Sequence, residues 1–233
     1  MKLHLLAAVP LLSTFGFVGS IRAENPAHVS QTLTTKRCQA CDLSFAELSY
    51  ANLNFASLVG AGLIGADLVK VNFFQANLRF ALLGGSNLRN ANLRQADLNR
   101  ADLNGANLRD ADLSDADLSN TNLRGADLRG ANLSRANLNN ADLSHADLTQ
   151  ANLKAATLWG ANLWRADLSG SNLSHADLSR SNLLAARLNQ TNLTGALLFD
   201  LSLNFSNLEE TDPRMAILCD TTLPNGVVSS RDC

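Results

Sequence analysis

Residues 96–120 read ADLNRADLNGANLRDADLSDADLSN, one five-residue unit written five times. The unit continues back to Cys41 and on to Leu208 in unbroken register, which makes about 34 consecutive copies and marks a repeat architecture. A period of five fits neither common element. In an α-helix at about 100° per residue each Leu falls roughly 140° from the last, so Leu spreads over every face and no soluble helix buries them all. In extended chain Ala96 and Leu98 share a face, but Ala101 lies three beyond Leu98 and points the other way. The chain must therefore turn once per unit, always with the same hand, and wind into a square coil with the Leu and Ala side chains at its centre. Four units close one coil, so the structural repeat is about 20 residues, with coils about 4.8 Å apart and each unit hydrogen-bonded to those above and below.

The units ANLSR, ANLNN, ADLSH and ADLTQ at 131–150 carry the same A-(N/D)-L-x-x signature. It resembles the pentapeptide-repeat family, over about 70 per cent of the chain. The resemblance implies an all-β fold, a right-handed quadrilateral parallel β-helix. It also assigns the inward places: a central Leu in nearly every unit, with Phe73 the exception, and a second inward residue that is Ala91, Ala96, Ala101 and their successors. A larger group at the second place would force coils apart and forfeit close packing. Ser86, Thr121, Ser171, Ser181 and Thr191 are small enough to substitute, but a buried hydroxyl needs a partner. Asn and Asp precede the central Leu, as at Asp97, Asp102, Asn107 and Asp112, where a short polar side chain can bond backbone groups exposed by the turn. These carboxylates read as structural.

The chain divides into a leader at 1–23, an N-terminal cap at 24–40, the repeat body at 41–212, and a closing coil with a tail at 213–233. The leader has an early Lys2, an apolar run from Leu3 to Val18 and a small residue at Ala23, the pattern of a secretory signal peptide. A membrane anchor is the competing reading, but the run is short for a span and Pro10 interrupts it. Removal of Lys2 and Arg22 takes the net charge from −2 to about −4, which is mild for this length. The mature chain then carries no membrane span. The cap sequence ENPAHVSQTLTTKR at 24–37 leaves the signature, although Leu33 falls in phase, and is expected to form a short helix from near Ser30. Such a cap would cover the open edge of the first coil. Pro213 breaks the register, and Leu218 and Leu223 return to it, so about one further loose coil is expected.

Four cysteines stand at the ends of the body and none in its middle: Cys38 and Cys41 at the entrance, Cys219 and Cys233 beyond the exit. In an exported chain they suit disulfides. Cys219 with Cys233 would tie the tail onto the last coil and Cys38 with Cys41 is the matching pair, closing loops that restrict the unfolded chain. A redox-active CxxC is the alternative at Cys38 and Cys41, but a reactive thiolate usually sits at a helix N-terminus and this motif precedes a repeat unit. The spacing does not make a closed four-ligand metal site, and no cofactor is expected.

With the interior this regular, partner information lies in the outward residues. Near the start these are apolar, at Phe45, Tyr50, Phe55, Val59, Ile64, Val69, Phe74 and Phe80, and near the end at Trp159, Trp164, Leu184, Leu197, Phe199 and Phe205. Clustered exposed apolar groups mark contact surfaces. The cap is too short to shield all of the first group. Trp159 and Trp164 beside Arg165 have the composition of an interface anchor. Arg89, Arg109 and Arg129 fall in one column, a candidate basic stripe diluted by Asp110 and Asp127. His145 and His175 fall on opposite faces and cannot act together.

Catalysis needs converging groups in a cleft, which an uninterrupted solenoid does not build. The expectation is therefore a non-enzymatic exported module that binds a protein partner or a second copy of itself, in the periplasm. The CxxCDLS entrance and Cys-terminated tail resemble those of secreted cyanobacterial members, which adds the thylakoid lumen as a destination. One alternative is the branch of the family whose members mimic DNA and bind topoisomerases. The leader, the mild charge and the unbroken register argue against it and against nucleic acid as a partner. The other alternative is a glycan-binding envelope module built on Trp159, Trp164 and Arg165.

Overall fold

The computed structural model describes residues 25–233; the expected leader lies outside them. Residues twenty apart are bridged in parallel from Arg37 with Ser57 to Ser202 with Thr222, so four units close one coil and the body is a four-sided parallel β-helix. Its faces carry single bridged residues, not long strands, because the chain turns every five residues. The unit Ala96–Arg100 shows why the arrangement is stable. Asp97 N–H donates to Ala76 C=O of the preceding coil (2.9 Å), while Leu98 and Arg100 donate to Asp117 and Ser119 of the following coil (2.8 and 3.1 Å). Ala101 N–H turns the corner by donating to Leu98 C=O at 2.9 Å. The remaining donor, Asn99 N–H, goes to the Asp97 carboxylate at 3.1 Å. Every backbone N–H of the unit is thus paired, and the second residue is Asn or Asp because the ladder itself cannot satisfy the fourth.

The fifth residue of each unit turns the corner in a left-handed conformation. From Ala40 to Glu210 every fifth residue has φ between 50 and 68°, as the third residue of a type II turn requires. No Val, Ile, Thr or Pro occupies that place in this span, since β-branched side chains fit this region poorly and the Pro ring forbids it.

The central Leu residues and Phe73 are buried, and the Ala residues beside them almost equally so. Buried hydroxyls at the Ala place fall into two groups. Thr191 donates to Leu168 C=O at 2.9 Å and Ser206 to Leu183 C=O at 2.7 Å, and Thr121, Thr211 and Thr221 likewise donate to the carbonyls of Leu118, Leu188 and Leu198. Ser86, Ser171 and Ser181 have no partner, so the expectation that each buried hydroxyl is satisfied fails at these three.

The N-terminal closure is helix α1, Pro26–Thr35. It starts before the expected Ser30 because Asn25 caps it, accepting from His28 N–H at 3.3 Å, and Pro26 occupies the first turn where its missing N–H costs nothing. Thr32 is buried and Val29 packs on the core, while Leu33 is exposed, so its phase with the repeat has no structural meaning. Cys38 and Cys41 are paired beneath the helix, and His28 Nδ1 accepts from Asp42 N–H at 3.1 Å.

At the other end a 3-10 turn, Pro213–Met215, interrupts the register. The coil then resumes. Strand β1 (Leu197–Phe199) pairs in parallel with β2 (Ile217–Cys219), and β3 (Thr221–Thr222) pairs antiparallel with β4 (Val228–Ser229). Leu218 is buried in this last coil and Leu223 packs partly against the core. Cys219 is paired with Cys233, their Cα atoms 4.9 Å apart.

Candidate interaction surface

Because the fifth residue of each unit stands at a corner in the left-handed region, its side chain projects from the solenoid, whereas the fourth lies flatter along a face. This places the N-terminal aromatics. Tyr50 and Phe55 are 71% and 60% exposed, and Phe80 and Ile64 are also exposed, since α1 covers the end of the helix and leaves its sides open. Phe45 and Phe74 are half-buried. The Phe45 ring lies over Gly65, where a Cβ would fall 2.5 Å from it. Phe55 meets Phe74 edge to face at 5.6 Å between ring centres. Cations from neighbouring positions cover several rings: Lys70 stands 5.5 Å from Tyr50, Arg94 6.0 Å from Phe74, and Arg79 and Arg100 lie 5.6 and 5.8 Å from Phe80. Such contacts hold aromatic side chains in place while leaving their edges open.

The second group draws in residues beyond Trp159, Trp164 and Arg165. Trp164 is gripped by Arg165, 4.6 Å from its ring, and by the edge of His145 at 4.7 Å. Trp159 lies on the adjacent face under Arg180 at 5.7 Å, and Arg180 is held by Asp200 at 3.2 Å. The two indoles therefore belong to separate clusters, with His145 and Arg180 as members that sequence reading did not assign. His145 and Trp164 are nineteen residues apart, and that near-coil spacing was the available signal. His175 leans over Gly195 on another face. Phe199 is half-buried in β1, whereas Phe205 is 85% exposed, the largest value among the exposed apolar side chains.

Of the column of Arg89, Arg109 and Arg129, Arg129 alone is tied to carboxylates, and Arg89 and Arg109 make no ion pair among the described residues. Arg129 grips Asp127 through two bonds of 2.8 and 2.5 Å and reaches Asp147 at 3.4 Å. The Arg129 guanidinium holds the Asp127 carboxyl below its ordinary range, against a smaller opposing effect of burial. Asp115 is lowered in the same way by Arg135, and Arg187 reaches Asp167 at 3.4 Å. Charges on the middle coils are thus of mixed sign and paired in part.

Each flank carries a groove. One of about 700 Å³ lies between α1 and the first coils, lined by Gln31, Lys36, Arg37 and Phe55 among others. The other, about 550 Å³, lies beside Leu184, Asp200, Leu201 and Asp220. Neither lining brings a nucleophile against a base. Cys219, Asp220 and Cys233 approach within 4.8 Å of one another, but the two sulfurs are bonded to each other and are not available as thiolate ligands. Among the described residues no helix is long and apolar enough to cross a membrane.

The family model for pentapeptide repeats matches residues 37–75, 72–115, 111–150 and 146–183, eight copies in all. The chain belongs to the pentapeptide-repeat family. This pentapeptide-repeat chain is 33% identical to HetL, a protein involved in heterocyst differentiation regulation from the cyanobacterium Nostoc sp., over 89% of its own length and 100% of HetL, with a TM-score of 0.40. It is 17% identical to QnrB1, a plasmid-mediated fluoroquinolone resistance protein, over 81% of this chain and 92% of that one, with a TM-score of 0.41. A pentapeptide repeat protein of the Arabidopsis thaliana thylakoid lumen is 32% identical over 42% of this chain and 65% of its own, with a TM-score of 0.25. None of the curated proteins matches.

Proposed function

We propose that this pentapeptide-repeat chain is an exported, non-enzymatic interaction module that presents the aromatic residues of its two flanks to a protein partner or to a second copy. One observation carries the reading: Tyr50, Phe55, Phe80, Trp159 and Phe205 are exposed in the flanks, as are the aliphatic Ile64, Leu82 and Leu184. Exposed aromatic groups in clusters are a cost to solubility unless another surface covers them. The apolar leader and the absence of free cysteines among the described residues support an oxidising destination, the periplasm or, in a photosynthetic host, the thylakoid lumen. The carboxylates interspersed with the arginines of the middle coils argue against nucleic acid as a partner.

The test is photo-crosslinking in intact cells from residues substituted at Phe55 and Trp159, followed by fractionation. One envelope or lumen protein captured from both positions, and lost on Phe55→Ser with Trp159→Ser, is the expected outcome for a scaffold. Capture of the chain by itself is the outcome for self-association through the Phe199 and Phe205 end. Recovery of unprocessed chain in the cytoplasm, or no specific product from either position, overturns the reading.

A further inference from the structure

The two disulfides close the solenoid in opposite ways. Cys38 and Cys41 are 0% and 6% exposed and belong to the core, so a reductant reaches them only if α1 and the first coil open. Cys219 is half-buried and Cys233 exposed. From Pro224 to Cys233 no residue is buried, and Val227 and Val228 are 55% and 59% exposed. Little apolar burial holds this tail.

What the tail does is stand in for a coil that does not exist. From Leu43 to Leu178 the N–H of each central residue donates to the following coil, as Leu98 does to Asp117. Leu218 has no following coil, and the Asp232 carboxylate accepts its N–H at 2.9 Å while Asp232 N–H donates to Leu218 C=O at 2.9 Å. Arg231 donates to Ala216 C=O at 2.7 Å, Ser230 Oγ donates to Asp220 at 2.8 Å, and β4 pairs with β3. The Ser230 contact is exposed and those of Arg231 and Asp232 are only part-buried, their tail partners lying on the surface, so water competes with them once the tail moves, and the remaining tie is covalent.

We infer that the Cys219–Cys233 disulfide is a redox latch: an external dithiol opens it under native conditions and frees residues 224–233 from the last coil, while Cys38–Cys41 stays oxidised. The reductant thiolate attacks Sγ of exposed Cys233 and Cys219 leaves as the thiolate, which takes up a proton. The second thiol of the reductant then resolves the mixed disulfide, releasing Cys233 as a thiol. Two electrons pass from the dithiol, which becomes a disulfide, to the protein pair. Opening exposes the β3 edge and the Leu218 N–H and C=O, the kind of unpaired edge that accepts another strand. The inference stands whether or not the aromatic flanks bind a partner.

The experiment treats the oxidised mature chain with dithiothreitol without denaturant, alkylates free thiols at timed intervals, maps them by mass spectrometry, and follows amide exchange in parallel. Cys219 and Cys233 should be labelled at least about tenfold faster than Cys38 and Cys41, as accessibility governs thiol exchange. Exchange should rise at Leu218, Leu223 and Asp232, whose N–H groups bond to or within the tail, and stay unchanged from 42 to 210. Cys233→Ser should give the same exchange pattern with no reductant, and reoxidation of the wild-type chain should restore protection. Equal labelling of the two pairs, or a tail that keeps its protection after labelling or in Cys233→Ser, overturns the inference.

Discussion

From Asn92 to Asn152 the coils repeat one solution, whereas the coils on either side depart from it. In the middle, the second residue of every unit is Asn or Asp and accepts the N–H two residues ahead, and amides such as Asn132 and Asn152 link to the same place one coil below. In the flanks most units keep Asn or Asp, but that place also holds Glu47, Ser57, Gly62 and Leu82 on one side and Thr157, Arg187, Leu197 and Ser202 on the other. Gly62 and Leu82 carry no acceptor at all. At Thr157 the loss is repaired from outside the unit, since Asn139 of the preceding coil accepts the Trp159 N–H at 3.0 Å. The exposed aromatics lie in these same flanks. The two departures share the flanks but not the same units, since the units of Phe55, Phe80 and Trp164 keep Asn52, Asn77 and Asn162 as acceptors.

That contrast is broken most directly by exchanging its two kinds of residue on one face. Asn122 donates to Asp102 at 2.9 Å and accepts from Arg124 N–H at 3.2 Å, so Asn122→Leu should cost about 2 kcal/mol in denaturant unfolding by orphaning those groups. The reverse exchange two coils earlier, Leu82→Asn, should stabilise by about 1 kcal/mol by giving Gly84 N–H an acceptor. If the two changes have equal small effects, the second residue is only decoration and the distinction between middle and flanks falls.

A smaller effect is expected inside the core. Ser86 lies just before the regular middle and Ser171 and Ser181 beyond it, all with unpartnered hydroxyls. Ser181→Ala should raise stability by about 1 kcal/mol, since it removes a desolvated hydroxyl with no bond to lose. Thr191→Ala, which breaks a bond to Leu168 C=O, should not show that gain. Calorimetry on the two variants separates the cases.

The smallest effect is confined to the tail. The Asp232 carboxyl is held below its ordinary range first by the Arg231 guanidinium and then by Leu218 N–H, and Asp212 is lowered by Arg214. A carboxyl whose folded pKa is depressed stabilises above its unfolded value of about 4 and loses that contribution as pH falls through the folded value. Asp115 and Asp127 lose the same kind of contribution, but the buried core holds their coils, so amide exchange should show the end at 212–233 loosening below about pH 4 before the middle does. Simultaneous loosening along the whole chain would show that the closure is not a separate unit.

The solenoid was legible because a five-residue period with Leu at its centre has few physical solutions, and the Asn/Asp role followed from turn chemistry. The left-handed corner was equally present, in the missing Val, Ile, Thr and Pro at every fifth residue, but an absence is harder to read than a repeated Leu. The helix start at Asn25-Pro26 was hidden by its short span. The surface resisted for another reason. Counting by twenty predicts which residues share a column, yet side chains lean diagonally, so His145 meets Trp164 and Arg180 covers Trp159, and those contacts depend on tilt that the register does not encode.

The twenty-residue bridge register also makes the molecule a ruler with a built-in compass. Adding one five-residue unit anywhere in the middle would turn everything beyond it by a quarter revolution, and the aromatic flanks would no longer look the same way. Only whole coils, each about 4.8 Å of added length, change the distance between Phe55 and Trp159 while keeping their relative bearing. Length and direction are therefore set by a single count, and any partner spanning both flanks fixes that count.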